Sequence, residues 1–157
     1  MSQLRVGFGV DAHRFGGNPP LVLGGVVVDP RLGLEATSDG DAAAHAICDA
    51  LLGAAGLGDM GTHFPSSDER WKGANSMLML DTVLKMVRAS GWWVNNVDLT
   101  IIAQTVKIDP HRDAIRVAFA DALETEAVSV KATTTDGMGF TGRGEGLAAV
   151  AVVTVTI

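Results

Sequence analysis

Asp11 and His13 stand two residues apart, just after an apolar run from Leu4 to Val10. If the strand that this run encodes continues to them, both side chains leave the same face, because alternate strand residues share a face. A carboxylate and an imidazole side by side form half of a zinc site. His45 is the third candidate ligand. Three ligands with one open position is the pattern of a catalytic zinc, whereas a structural zinc is usually closed by four ligands, mostly Cys. On its own, His45 reads as a hydrogen-bonded helix histidine, and only the Asp11–His13 pair turns it into a ligand. His63, in a loop, and His111, at a helix start, are expected on the surface.

A second constellation runs from Lys131 to Gly146 and is rich in Thr and Gly. Hydroxyls, backbone N–H groups and the guanidinium of Arg143 suit phosphate oxygens. Asp136 could hold Mg²⁺ bridging two phosphates. The run is neither a Walker loop nor a dinucleotide-binding fingerprint. A Gly-rich hairpin turn explains it about as well when it is taken alone. The third constellation is Ala103 to Asp109. Lys107 leaves a buried strand ahead of a helix N-terminus, which suits a phosphate. Spacing alone fits a solvated loop lysine better.

The elements that must position these groups follow from pattern. Leu21 to Leu23, Gly24-Gly25 and Val26 to Val28 read as a short hairpin. Ala42 to Leu57 is a helix with Ser38 or Asp39 as N-cap, Asp41 in its first turn and Gly56 or Gly58 at its end. In that helix Asp41, His45 and Asp49 fall on one face, which suggests carboxylate support for the imidazole. Residues 57–68 read as a long polar loop and 71–75 as irregular. Ser76 to Ser90 is an amphipathic helix whose stripe is Met77, Leu80, Val83, Leu84 and Val87, stopped by Gly91. Val94 to Thr105 is a strand whose apolar centre predicts burial on both faces. Asp109 and Pro110 read as the N-cap and first residue of a third helix, with Ile115, Phe119, Ala122 and Leu123 inward. Strands Val128 to Thr133 and Gly146 to Ile157 flank the Thr- and Gly-rich loop. This alternation predicts an α/β fold, an α+β sandwich: one mixed sheet of four to five strands with helices on one face.

Composition bounds the function. The 157 residues fit one domain, 1–157, able to bury a core. A net charge of −6 and the lack of a basic stripe argue against nucleic acid as a partner. A single cysteine, Cys48, cannot form an internal disulfide. Residues 1–10 lack a signal-peptide layout, and no apolar run is long enough to span a bilayer. A cytoplasmic protein without a membrane partner is expected.

The quoted motifs together resemble one family, the 2-C-methyl-D-erythritol 2,4-cyclodiphosphate synthases of the non-mevalonate isoprenoid pathway. The carriers are Gly9 to His13, Ser38 to Asp41 with His45, Asp49 to Gly53, Gly58 to Gly61, and Ala132 to Thr135 through Phe140 to Gly146. The resemblance extends along essentially the whole chain. It implies a homotrimer with strands facing the three-fold axis and active sites between subunits. It implies Zn²⁺ on Asp11, His13 and His45, and Mg²⁺ or Mn²⁺ on Asp136, where the family usually has Glu. Thr134 and Thr37 take the transition-state positions. A cytidine diphosphate substrate is implied at Ala103, Lys107, Ile108, Asp109, Thr133 and Thr135. Its methylerythritol part is implied at Ser38, Asp59, Gly61, Phe64, Ser67 and Asp68. Phe140 and Arg143 match the phosphate end and the trimer axis. The implied reaction is attack of a 2-phosphate on a β-phosphorus, closing a cyclic diphosphate and releasing CMP.

Three positions depart from the family pattern. Thr37 stands where His is usual, Ser66 where an Asp is usual, and Val150 where some members have a Glu facing Arg143. Thr can donate one hydrogen bond but cannot carry positive charge. Two other activities fit the same residues: a zinc-dependent hydrolase of small phosphorylated metabolites, and a non-catalytic trimeric nucleotide-binding module.

Overall fold

A computed structural model describes residues 3–157; Met1 and Ser2, included in the one-domain expectation, lie outside the described residues. Strand β1 spans Leu4–Arg14. It runs past the apolar stretch, so Asp11 and His13 are strand residues. Leu4, Val6, Phe8 and Val10 point to one face and are exposed. Gly7, Gly9, Asp11 and His13 point to the other.

Helix α1, Ala42–Ala55, lies directly on that second face. The approach is close enough to exclude any side chain on the strand. A Cβ at Gly7 would sit 1.8 Å from the Ala50 carbonyl oxygen, and one at Gly9 would sit 1.9 Å from that of Ala46. The helix is correspondingly thin, with Ala42, Ala43, Ala44, Ala46, Ala50 and Ala54 all buried. Gly56, in the left-handed conformation, ends it.

The N-cap of α1 is Asp41, not Ser38 or Asp39. Asp41 is fully buried, and its Oδ1 accepts from Ala44 N at 3.0 Å. The same carboxylate accepts from Gly24 N at 2.9 Å and Gly25 N at 2.8 Å. Those glycines form the turn of the hairpin β2 (Leu21–Leu23) and β3 (Val26–Asp29). Asp41 therefore ties the hairpin to the helix. Burial pushes its carboxyl up to about 6, against the pull of the three N–H donors.

The remaining elements are α2 (Met60–His63), α3 (Ser76–Ala89), β4 (Trp93–Ile102), α4 (Arg112–Leu123), β5 (Val128–Thr133), α5 (Gly139–Gly142) and β6 (Gly146–Thr156). The sheet order is β1-β6-β4-β5, with β4 and β5 parallel and the other pairs antiparallel. The mixed sheet thus has four strands, and the hairpin forms a two-stranded sheet of its own. α1 packs on β1 and β6, α4 packs on β5, and α3 packs on α1. No helix among the described residues is long and apolar enough to cross a membrane.

Several local expectations need correction. The 57–68 loop contains the turn α2, capped by Asp59, because Asp59 Oδ1 accepts from Thr62 N. Trp71 belongs to a 3-10 turn, Glu69–Trp71, capped by Asp68. Asn75 caps α3. A second 3-10 turn, Asp109–His111, precedes α4, and Asp109 takes Arg112 (2.7 Å) instead of a helix amide. Of the predicted α4 stripe, Ala122 is only half-buried, and Ala120 is buried. In β4 only Val97, Leu99 and Ile101 are buried, while Asp98, Thr100 and Ile102 are half-exposed. The strand is covered on one face, and its outer face carries the Asp98–Lys131 ion pair at 2.7 Å.

Two glycine substitutions should separate close approach from helix propensity. Gly9→Ala should lower unfolding free energy by about 3 kcal/mol or more, read as a fall in urea midpoint, because the Ala46 carbonyl cannot yield. Gly53→Ala, on the open face of α1 with nothing within 4 Å, should raise it by about 0.5–1 kcal/mol.

Candidate active site

β1 and α1 bring three candidate ligands to one point. Asp11 Oδ2 lies 2.8 Å from His13 Nε2 and 3.0 Å from His45 Nδ1. The two ring nitrogens are 3.4 Å apart. His13 comes from the strand face that Asp11 shares, and His45 is set beside them because the glycines let α1 settle on β1. His13 Nδ1 donates to the Glu35 carbonyl oxygen at 3.0 Å, which turns Nε2 toward the cluster. All three side chains are half-buried.

The electrostatics match a cation site. Burial pushes the Asp11 carboxyl up, but hydrogen bonds and positive charge from His13 and His45 outweigh it, and the carboxyl falls to about 2. Burial lowers His13, and the adjacent Asp11 carboxylate more than reverses this, so its pKa rises above 6.5. Two nitrogens and one carboxylate oxygen with room for another ligand suit a divalent metal of the zinc type. Asp11, His13 and His45 are the group among the described residues that could hold such an ion.

The flanking carboxylates expected to support His45 do not touch it. Asp41 faces the hairpin, as described. Asp49 Oδ1 accepts from Met60 N at 2.8 Å and so anchors α2. His45 Nε2 instead meets two hydroxyls, Ser76 Oγ at 2.8 Å and Ser38 Oγ at 3.1 Å. Ser76 was missed in the sequence, where it reads only as the first residue of a helix. His63 is half-buried, not on the surface, and its Nε2 donates to the Leu57 carbonyl at 2.7 Å. His111 is also half-buried.

A cavity of about 180 Å³ opens beside the cluster. It is lined by His13, His45, Thr37, Ser38, Phe64 and Trp71, among others. Phe64 meets Trp71 edge-to-face, with ring centroids 4.8 Å apart. Trp71 Nε1 is buried without a partner among the described residues. Ser66, at the departed Asp position, is also in the lining, whereas Asp59, Gly61, Ser67 and Asp68 are not. The carboxylates of Asp59 and Asp68 are engaged in their own turns, by Thr62 and Arg70.

A second, larger cleft of about 460 Å³ lies at the carboxyl ends of the parallel pair β4 and β5. Ala103, Lys107, Ile108, Asp109, Thr133 and Thr134 line it. The second and third constellations are therefore brought together. Crevices at such strand ends are favoured for nucleotides and phosphates. Lys107 is exposed and makes no ion pair among the described residues. Gln104, also missed, accepts from Gly137 N at 3.1 Å and holds the Thr- and Gly-rich loop to the cleft. Thr134 Oγ donates to Asp136 Oδ1 at 3.4 Å, and Asp136 is in the left-handed region at φ 52°. Thr135 lies off the cleft and closes the loop turn through Thr141 Oγ at 2.8 Å. Phe140 faces a small groove with His13 and Arg14. Arg143 pairs with Glu145 at 3.3 Å.

The metal cluster and the cleft lie at the same end of the sheet but on different strands. His13 pairs with Leu147, Ala148 with Ile102, and Ile102 with Thr133. β6 separates the cluster on β1 from the cleft at the ends of β4 and β5 within one chain, and neither lining includes a residue of the other.

Removing the carboxylate should release His13. In metal-free protein, Asp11→Asn should lower the His13 pKa below its wild-type value, followed by NMR titration of its ring protons. In the wild type, the His13 share of stability is present below 6.5 and is lost as pH rises through its higher folded pKa. The Asp11 share is lost as pH falls from 3.8 to about 2.

Comparison with known proteins accords with this geometry. A model described as the YgbB family matches residues 4–156. A 2-C-methyl-D-erythritol 2,4-cyclodiphosphate synthase from Alkalilimnicola ehrlichii is 57% identical over 97% of this chain and 94% of its own. The bifunctional IspDF of Campylobacter jejuni is 42% identical with a TM-score of 0.96; the alignment covers 99% of this chain and 43% of that longer one. A solved 2C-methyl-D-erythritol-2,4-cyclodiphosphate synthase with CDP bound is 35% identical with a TM-score of 0.87, covering 96% of this chain and 99% of that one. Matched almost from end to end in both sequence and fold, the chain belongs to the YgbB family.

Proposed function

We propose that the protein converts 4-diphosphocytidyl-2-C-methyl-D-erythritol 2-phosphate into 2-C-methyl-D-erythritol 2,4-cyclodiphosphate and CMP, a phosphorus–oxygen lyase reaction in isoprenoid precursor synthesis. The observation that carries this is the convergence of Asp11, His13 and His45 in a chain whose relatives bear that name. An oxygen of the 2-phosphate forms a bond to the β-phosphorus. The bond from that phosphorus to the oxygen bridging it to the α-phosphorus breaks, and CMP leaves with the electron pair.

Both reacting groups are anions, so charge repulsion is the main barrier, and positioning with fixed positive charge lowers it without a protein nucleophile. Zn²⁺ on Asp11, His13 and His45, and Mg²⁺ or Mn²⁺ shared by Asp136 with phosphate oxygens, would supply divalent charge where the phosphates meet. Ala103 and Ile108 offer an apolar wall to the cytosine, with Asp109 at its edge, and Lys107 and Thr133 hold nucleotide phosphate. Thr134 donates its hydroxyl proton to an oxygen of the transferred β-phosphoryl group as negative charge builds there. Thr37 donates one hydrogen bond from the lip of the metal-side cavity, in place of the family's His. Ser38 and Phe64 line the methylerythritol side, with Asp59, Gly61, Ser67 and Asp68 closing over it. Thr135, Phe140 and Arg143 shape the phosphate loop.

The enzyme acts as a homotrimer of one-domain chains (1–157), with the metal cluster of one subunit facing the cleft of the next. Two observations support this. The two half-sites are separated by β6 in a single chain. The outer face of β1 leaves Val6, Phe8 and Val10 at 63%, 64% and 51% exposure, an apolar stripe suited to a three-fold axis. Its place of work is the cytoplasm, with neither nucleic acid nor membrane as partner.

Phosphorus NMR of the substrate incubated with enzyme, Zn²⁺ and Mg²⁺ should reveal a cyclic diphosphate together with CMP. Hydrolysis without a cyclic product would favour a zinc hydrolase, and CMP binding without turnover would favour a binding module. His45→Ala should lose bound zinc and at least about 10²-fold in kcat. Thr134→Ala should lose about 10²-fold in kcat and keep its zinc. Sedimentation should give three times the chain mass.

A further inference from the structure

His45 is backed by a chain of hydrogen-bonded side chains, Ser76 and then Asp39. Ser76 Oγ lies 2.8 Å from His45 Nε2 and donates its own proton to Asp39 Oδ1. Asp39 also accepts from Ser76 N at 3.0 Å and Asp41 N at 3.1 Å, so its carboxylate is held in place by backbone amides. A hydroxyl has one proton, and a carboxylate only accepts. With that proton committed to Asp39, Ser76 Oγ can meet the imidazole only as an acceptor. A proton on His45 Nε2 is what this oxygen calls for, and Ser38 Oγ, 3.1 Å from the same nitrogen, can accept it as well. Ser76 is fully buried, and Asn75, not Ser76, caps α3, so the hydroxyl is free of a capping duty.

We propose that Ser76, backed by Asp39, is a positioning residue for the metal centre: it locks His45 as the Nε2–H tautomer, so that Nδ1 presents a bare lone pair beside Asp11 and His13. This deepens the zinc assignment above and rests on it. The two imidazoles are fixed in opposite senses. The Glu35 carbonyl holds His13 by Nδ1 and frees Nε2, while Ser76 holds His45 by Nε2 and frees Nδ1. With a cation bound, Asp11 Oδ2 and His45 Nδ1, 3.0 Å apart, both direct lone pairs at it, whereas without one the contact is a hydrogen bond.

The test uses the whole protein and Zn²⁺ alone, titrated in competition with a chromophoric chelator. Ser76→Ala and Asp39→Asn should each weaken Zn²⁺ binding about 10- to 100-fold, the range typical for partners behind a metal-ligating imidazole. Long-range proton–nitrogen NMR of the metal-free protein should report Nε2–H for His45 in the wild type and a tautomer mixture in Ser76→Ala. Affinity lost together with that mixture supports the relay. Unchanged affinity in Ser76→Ala overturns it, and so does weaker binding with the wild-type tautomer retained, which would mean a packing defect. If the wild type and His45→Ala bind Zn²⁺ equally poorly, the zinc assignment itself fails. The tautomer spectrum then decides the relay separately.

Discussion

The close seat of α1 on β1 is the constraint on which the rest depends. At Gly7 and Gly9 the helix backbone comes so near the strand that even a methyl group would strike the carbonyl of Ala50 or Ala46. The contact has a geometric result beyond packing. His45 precedes Ala46, and Asp11 and His13 continue the strand face of Gly7 and Gly9, so one contact that buries alanines also sets an imidazole against a carboxylate. A thicker strand face would lift α1 and open the cluster. Fold and site are therefore one packing problem.

The acidic residues around this contact divide the work by their partners. Asp11 is held as a carboxylate by two imidazoles. Asp41, four residues before His45, is spent on three backbone amides that join the hairpin to α1. Asp49, four residues after it, anchors α2. Asp39 is pinned at the start of α3. Asp39, Asp41 and Asp49 each satisfy backbone N–H groups whose orphaning in a buried setting would cost on the order of 1–3 kcal/mol apiece. The candidate ligands stand inside this scaffold of backbone-directed acids, and among these acids Asp11 is the one whose oxygen reaches the imidazoles.

Many elements were legible because their signals are local. The strand β5, the Gly24-Gly25 hairpin, the stop at Gly91 and the α3 stripe from Leu80 to Val87 follow from period and turn chemistry within a few residues, although Met79 is buried where the pattern predicts Met77. The errors cluster where several acceptors compete for one donor. Ser38 and Asp39 read as caps with Asp41 inside the first turn, yet Asp41 is the cap and is tied to the hairpin amides beyond it. The two-sided burial expected for β4 failed because an apolar run does not reveal which face is covered. Asp41, His45 and Asp49 do share a helical spacing, yet spacing says nothing of what each faces.

By itself the sequence determined the ligand types, their order and the secondary elements that bear them, since these depend on side-chain chemistry and on neighbours a turn or less away. The tertiary structure alone decided that residues 32 and 34 positions apart meet at His45, that Ser76 stands behind it, and that the candidate ligand cluster and the cleft beside β4 and β5 occupy separate strands of one sheet. The reason is that hydrogen bonds between distant residues are chosen by packing: an acceptor takes the donor that the buried backbone delivers to it, and only the folded chain has made that delivery.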